Sequence, residues 1–232
     1  MARMQRDIYD EDHEDFRASV RQWLERSVIP NTDKYIAEKA LPREFWLEAG
    51  ANGFLGLSIP EEYGGAGAGD FRFNAILEEE LAKIGAAYPT CVGIHVDITA
   101  PYIVELGTPE QKERWLPGVA SGEILLAIGM TEPGGGSDLA ALKTTAVRDG
   151  DEWVINGSKT FITNGYSADL IVVAARTDPR RAPRASPSSA SRRPRRASAA
   201  AASSTRSAWR SPTPPSSSSP TSASPTPRSS AS

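Results

Sequence analysis

Two short stretches of this 232-residue chain carry the groups best suited to binding chemistry: Met130-Thr131-Glu132-Pro133-Gly134-Gly135-Gly136-Ser137-Asp138 and Lys159-Thr160-Phe161-Ile162-Thr163-Asn164-Gly165. Consecutive glycines let a backbone approach a ligand closely and turn successive N–H groups toward it. Hydroxyls stand at Thr131, Ser137 and Thr163, and an aromatic ring at Phe161. Each stretch also has a plainer reading. A Gly-rich segment after a strand is commonly a turn, Phe161 and Ile162 suit a sheet face, and Thr163 before Asn164-Gly165 suits a turn.

Other chemistries find less support. Gly64-Gly65-Ala66-Gly67-Ala68-Gly69-Asp70 fits no G-x-G-x-x-G register and follows no strand, so it reads as a flexible loop. Cys91 is the single cysteine, which excludes an internal disulfide, and no base or second ligand accompanies it. His13 lies among acids and His95 in an apolar helical stretch, neither with a metal-ligand partner at a recognised spacing. Both are read as structural, and no metal site is expected.

The elements that must position the two stretches follow from periodicity. Phe16, Val20, Trp23 and Leu24 predict an amphipathic helix from about residue 11 to 27, ending ahead of Pro30. Trp46 and Ala49 mark a second, short helix. Phe73, Leu77, Leu81 and Ile84 predict a third, with Glu79 and Lys83 at i, i+4 on a solvated acidic side and Gly85 as a left-handed cap. Thr108, Pro109 and Gln111 have the spacing of a capping box that opens another helix before Gly122. From Ile124 the pattern changes to short strands: 124–130, 144–148 and 152–155 about an Asp149-Gly150-Asp151 turn, and 170–175. With no helix between them they read as an antiparallel meander, which disfavours a Rossmann layout.

Composition divides the chain. Residues 180–232 consist of 18 Ser, 11 Ala, 10 Arg, 9 Pro, 4 Thr and 1 Trp, so residues 1–179 carry 16 basic groups against all 29 acids, a formal charge of −13. An acidic body argues against a nucleic-acid role, which needs a basic face. No apolar run approaches the roughly 18 residues of a membrane helix, and the first residues lack the apolar stretch of a signal peptide. The chain reads as cytosolic. The tail has no aliphatic residue beyond alanine to offset about 1–2 kcal/mol of backbone ordering per residue, and is expected to be disordered. Its onset in mid-domain and its Ala/Pro/Arg/Ser/Thr content are what GC-rich DNA encodes out of frame. A basic tail that binds an acidic partner is the competing reading, weakened by the single aromatic, Trp209.

Between about Asp7 and Asp178 the chain resembles the acyl-CoA dehydrogenase family, closest to its long-chain type. The Met130–Asp138 stretch is similar to the family's flavin-edge loop, and Lys159–Gly165 to the strand that lays an aromatic ring and a threonine hydroxyl against the isoalloxazine. The resemblance implies FAD as cofactor and α,β-desaturation of fatty acyl-CoA thioesters. Ile128, Met130 and Thr131 would then meet the pyrimidine side of the flavin. Ser137 would contact cofactor and acyl-CoA near the pantetheine, Phe161 and Ile162 the flavin ring, and Thr163 the region of the hydride-accepting nitrogen. It further implies an electron-transfer flavoprotein or similar acceptor and a homo-oligomer. The family's general base is a glutamate of a C-terminal helical bundle, so no catalytic residue is assigned; Glu132 is a structural member of its motif. The implied fold is α+β: an all-helical domain over 1–122, an incomplete antiparallel β-domain over 123–179, and the disordered tail over 180–232 in place of the bundle. The chain as written is then a truncated, inactive dehydrogenase, with a flavoprotein oxidase or monooxygenase of the same fold, or a non-catalytic protein with a basic binding tail, as the alternatives.

Overall fold

In the computed structural model the described residues are 8–135, 137–149, 152–177 and, for the backbone alone, 198–203. Helix α1 (Glu11–Trp23) opens on a capping box in which Asp10 and His13 serve each other's backbone N–H groups. Its apolar stripe buries Val20, Trp23 and Leu24. The chain does not stop at Pro30. A π-helical turn (Leu24–Val28) and a 3-10 turn (Ile29–Asn31) lead directly into α2 (Thr32–Glu38). Proline fits because it enters within the first turn of a new helical segment, where its missing N–H would have no partner anyway.

Helices α3 (Arg43–Ala51), α4 (Arg72–Ile84), α5 (Ala87–Gly93), a π-helical turn (Ile94–Thr99), α6 (Ala100–Leu106) and α7 (Pro109–Ser121) complete the helical part. The capping box at α7 forms as its spacing predicts, with Thr108 and Gln111 bonded reciprocally. Gly122 ends α7 at φ 80°, and a Cβ there would strike the Trp46 carbonyl, so the turn admits only glycine. At the end of α4 the expected left-handed cap is replaced: Gly85 has φ 150° and ψ 146°, which extends the chain instead of curling it.

The acidic side of α4 also departs from expectation. Lys83 bonds Glu80, at 2.6 and 2.7 Å, and Glu80 is buried beneath Arg17 and Arg21 as well. Glu79 accepts from Arg17 and Tyr9 instead. A carboxylate can be buried there only because three cations converge on it from α1 and α4. One core packs Trp23, Phe45, Trp46, Phe54, Leu77 and Leu81 between α1, α3 and α4.

A five-stranded sheet follows, built on β1 (Leu126–Gly129), β2 (Thr145–Asp149), β3 (Glu152–Asn156), β4 (Leu170–Thr177) and β5 (Ser198–Ser203). The meander expectation holds for β2 and β3, which pair antiparallel from Thr145↔Asn156 to Asp149↔Glu152; Gly150 and Asp151 of their turn lie outside the described residues. It fails for β4, which runs parallel to β1 (Leu126↔Leu170 to Gly129↔Val173) and to β2 (Thr145↔Arg176, Ala146↔Thr177). The sheet is mixed because residues 130–169 return the chain to the start of β1 through loops and the β2–β3 hairpin, a crossover long enough to need no helix.

Most of the tail predicted as disordered lies outside the described residues. Ser198–Ser203, however, is a strand antiparallel to β4, from Leu170↔Ser203 to Ala175↔Ser198. Pairing of this kind requires backbone N–H and C=O groups alone, and the six residues include no proline to interrupt it.

A second core joins helices to sheet, with Ile103, Leu116 and Val119 packed against Leu126, Leu170 and Val172. His95 stitches this seam. Its Nδ1 accepts the Leu126 N–H at 3.2 Å and its Nε2 donates to the Val119 carbonyl at 3.1 Å, which assigns the neutral tautomer. Burial pushes the imidazole down to about 4, against a smaller opposing pull from Val119. The histidine is structural, as read. On the far side, Arg43 of α3 grips Asp169 with both guanidinium nitrogens, at 2.8 and 3.1 Å, while Asp169 accepts the Leu125 N–H.

A less comfortable group is Glu78 of α4. Its Oε1 is buried without a hydrogen-bond partner, and burial, then the charge of Asp97, push it up to about 8. A carboxyl raised above its ordinary 4.5 lends stability that is complete below that value and lost as pH rises through about 8. Thermal unfolding should therefore drop between pH 5 and 8.5, roughly the window set by the two values, and Glu78→Gln should flatten that drop by about 2–4 °C. An unchanged pH profile in the variant would exclude Glu78 as its source.

Candidate functional site

The fold brings the two sequence stretches together at the end of β1. Ile128, half-buried, is the third residue of β1 and stands in register with Val172 of β4. Met130 and Thr131 follow directly, and both have their carbonyls taken by the second stretch. Lys159 Nζ donates to Met130 O at 3.0 Å, and the Thr160 N–H donates to Thr131 O at 2.9 Å. The segment 159–160 thus lies beside 130–131 as an irregular extension of the sheet.

Glu132 is the anchor of this contact. It is 7 % exposed and accepts from the Lys143 N–H (2.7 Å), the Thr144 N–H (2.8 Å), the Thr144 hydroxyl (2.5 Å) and Lys159 Nζ (3.0 Å). Burial alone would raise its carboxyl, but the Thr144 hydroxyl, the two N–H groups and Lys159 outweigh it and hold the group at about 2. A carboxylate that accepts three hydrogen bonds on Oε1 and one on Oε2, and is held at about 2, is too weak a base to take a proton at neutral pH, which agrees with its reading as a structural residue. Gly157 is needed next to it, since a Cβ there would collide with the Thr144 side chain.

Beyond Glu132 the loop opens. Pro133, Gly134 and Gly135 are exposed, and a Cβ added at Gly135 would meet nothing within 4 Å. Gly136 lies outside the described residues; Ser137 and Asp138 are exposed, with the Ser137 carbonyl accepting the Leu139 N–H at the start of a 3-10 turn. The loop surface is therefore exposed, while the Gly135 N–H closes a turn onto the Glu132 carbonyl at 3.1 Å.

The second stretch is not a strand. Residues 157–169 form loop and turn between β3 and β4. The reason is Asn164, left-handed at φ 62°, whose Nδ2 donates to Cys91 O (2.8 Å) and Leu126 O (3.3 Å) and so pins the turn onto helix α5 and strand β1. Ile162 and Thr163 are half-buried inside this turn, and the Ile162 carbonyl accepts the Gly165 N–H. Phe161 is different. It has φ 55° and its ring is 91 % exposed. A bulky residue in the left-handed region costs on the order of 1–3 kcal/mol, and such strain collects at sites where a side chain is held ready for a ligand.

Of the residues singled out from sequence, Met130 and Thr131 lie against the segment that leads into Phe161, the turn holding Ile162 and Thr163 is tied by Asn164 to Leu126 at the start of β1, Ile128 lies within β1, and Ser137 is on the exposed loop. Sequence reasoning gave Lys159 and Asn164 no role of their own. The signal for Asn164 was the Asn-Gly pair, which favours a left-handed residue. For Lys159 the only signal was one cation in a stretch otherwise free of charge. Among the described residues no group of three or more His, Cys, Asp or Glu is placed to hold a metal, and no helix is long and apolar enough to cross a membrane.

Removing one partner of the buried pair should be costly. Lys159→Met leaves the Glu132 carboxylate buried beside an apolar side chain and should destabilise the loop by about 3–5 kcal/mol, with the double variant Glu132→Gln/Lys159→Met recovering part of the loss. Amide exchange over residues 130–135 measures it. Because the Glu132 carboxyl is held below its ordinary value, the stability it lends is present above about pH 4.5 and lost as pH falls toward 2.

Comparison with known proteins identifies the family. The acyl-CoA dehydrogenase N-terminal domain model matches residues 10–123 and the middle domain model residues 127–190. The long-chain specific acyl-CoA dehydrogenase of Rattus norvegicus is 43 % identical over 177 residues, covering 75 % of this chain and 40 % of that protein. A solved acyl-CoA dehydrogenase from Geobacillus kaustophilus superposes with a TM-score of 0.72 at 48 % identity, over 75 % of this chain and 46 % of that one. The Bacillus anthracis enzyme, solved in complex with FAD, gives 0.69 at 34 % identity, over 75 % of this chain and 30 % of that one. This chain spans less than half the length of each of these relatives. The open glycine loop and the exposed ring lie in the stretch matched by the middle domain, and the chain is a member of the acyl-CoA dehydrogenase family.

Proposed function

We propose that residues 8–177 carry part of a FAD site of an acyl-CoA dehydrogenase acting on fatty acyl-CoA thioesters. The observation that supports this most is Phe161: a strained, solvent-facing ring held beside the Thr131 loop by the Asn164 anchor and the Glu132–Lys159 pair. Its environment fits a flat heteroaromatic group. The ring offers a stacking face, Met130 and Thr131 are tied to the residues just before it through 159–160, and the surface of the glycine loop is exposed.

Bound FAD would supply the hydride-accepting chemistry. This chain's own residues orient it. Phe161 and Ile162 would set the plane of the ring, Thr163 would place a hydroxyl near its accepting edge, Ile128, Met130 and Thr131 would face its pyrimidine side, and Ser137 would meet cofactor and acyl-CoA near the pantetheine. None of these side chains can remove the substrate's α-proton. Glu132, the carboxylate of the loop, is held ionised at about 2 by four hydrogen bonds and is too weak a base for that step. The resemblance assigns the general base to a C-terminal helical bundle, and the matched segment covers 40 % of the rat relative. The chain as written is therefore proposed to be inactive in turnover. Its cytosolic placement belongs to the same proposal, and cell fractionation would separate it from the mitochondrial setting of the rat relative.

Two measurements test the reading. Titration of FAD into the protein should quench flavin fluorescence weakly but saturably, and Phe161→Ala should weaken binding by about 3- to 10-fold, the worth of one aromatic contact. Absence of binding, or binding indifferent to Phe161, would remove the site assignment. Assay with fatty acyl-CoA and an artificial electron acceptor should show no turnover; clear turnover would refute the inactivity.

A further inference from the structure

Strand β4 is the hub of the sheet, and its two sides are covered unequally. On one side β1 pairs with Leu170–Val173. Farther along that same side β2 pairs with Arg176 and Thr177, since the Arg176 N–H donates to Thr144 O just as the Leu170 N–H donates to Leu125 O. On the other side the stretch 170–175 reads Leu-Ile-Val-Val-Ala-Ala, with no charge and no proline, and Leu170, Val172, Val173 and Ala175 are buried. Such a run with open backbone groups is what sheet proteins ordinarily protect by charge, proline or a covering element. Here the cover is Ser198–Ser203, whose six residues match 170–175 pair for pair.

We propose that this side of β4 is a strand-accepting edge that Ser198–Ser203 occupies in cis, and that once uncovered it pairs with the β4 of a second copy of the chain. The cover is built of Ser and Ala, residues of low strand preference, so a β-branched strand can displace it. The second copy offers such a strand. Two β4 edges related by a two-fold axis run antiparallel, as β5 does now, and satisfy both sets of backbone groups in one closed dimer.

Hydrogen exchange on the intact chain tests this, with sedimentation velocity alongside. In dilute Ala200→Pro/Ala202→Pro protein the amides of 170–175 that face away from β1 should exchange at least about tenfold faster, while those of α4 keep their protection. At raised concentration a dimer should appear and the protection return. Unchanged exchange at 170–175 overturns the cover, and faster exchange in a protein that stays monomeric at every concentration overturns the second copy as partner. Should the proline variant unfold, Ala200→Val/Ala202→Val decides: a stronger cover slows exchange at 170–175 several-fold, and no change there counts against the proposal.

Discussion

The buried Glu132 carboxylate is the constraint from which the site is built. It draws together an ammonium from the loop after β3, two backbone N–H groups and a hydroxyl at the entry to β2, and its own loop at the exit of β1. None of these segments is regular structure at the point of contact, so no sheet ladder would hold them there. A charge that has left water must find compensating partners, and the cheapest arrangement that supplies four of them is the one that also lays 159–160 along 130–131. The glycine loop is free to be open because the residue before it is so firmly fixed.

The same logic recurs where helices meet sheet. His95 meets one donor from β1 and one acceptor from α7, and Asp169 receives Arg43 and the Leu125 N–H. Around these points the second core closes, with α6 and α7 against β1 and β4. Polar groups set the register and apolar side chains supply the bulk of the burial. The strained Phe161 is tolerated because Asn164, three residues on, is held by carbonyls of two different elements.

Much of this was legible in the residues themselves. The apolar spacing of α1 and α4, the Thr108 cap of α7 and the four strands from 126 to 177 all follow from local chemistry. What was not legible depends on distant partners. The acidic side of α4 reads as solvated because Arg17 and Arg21, the partners of Glu80, lie some sixty residues away in sequence. The parallel course of β4 reflects where a forty-residue excursion ends, for which no local signal exists. Phe161 reads as a sheet residue by type, and only the Asn164 anchor behind it explains why its ring points outward.

The shared core has a consequence for modularity. Family models divide the chain near residues 123–127, yet Leu126, Leu170 and Val172 complete a hydrophobic interior whose other half is Ile103, Leu116 and Val119. The helical part cannot be exchanged between relatives like a bead on a string. A recombination joint placed after Gly122 would inherit a seam whose two halves had never been fitted to each other, so the helices and the first strands are expected to travel through evolution as one unit.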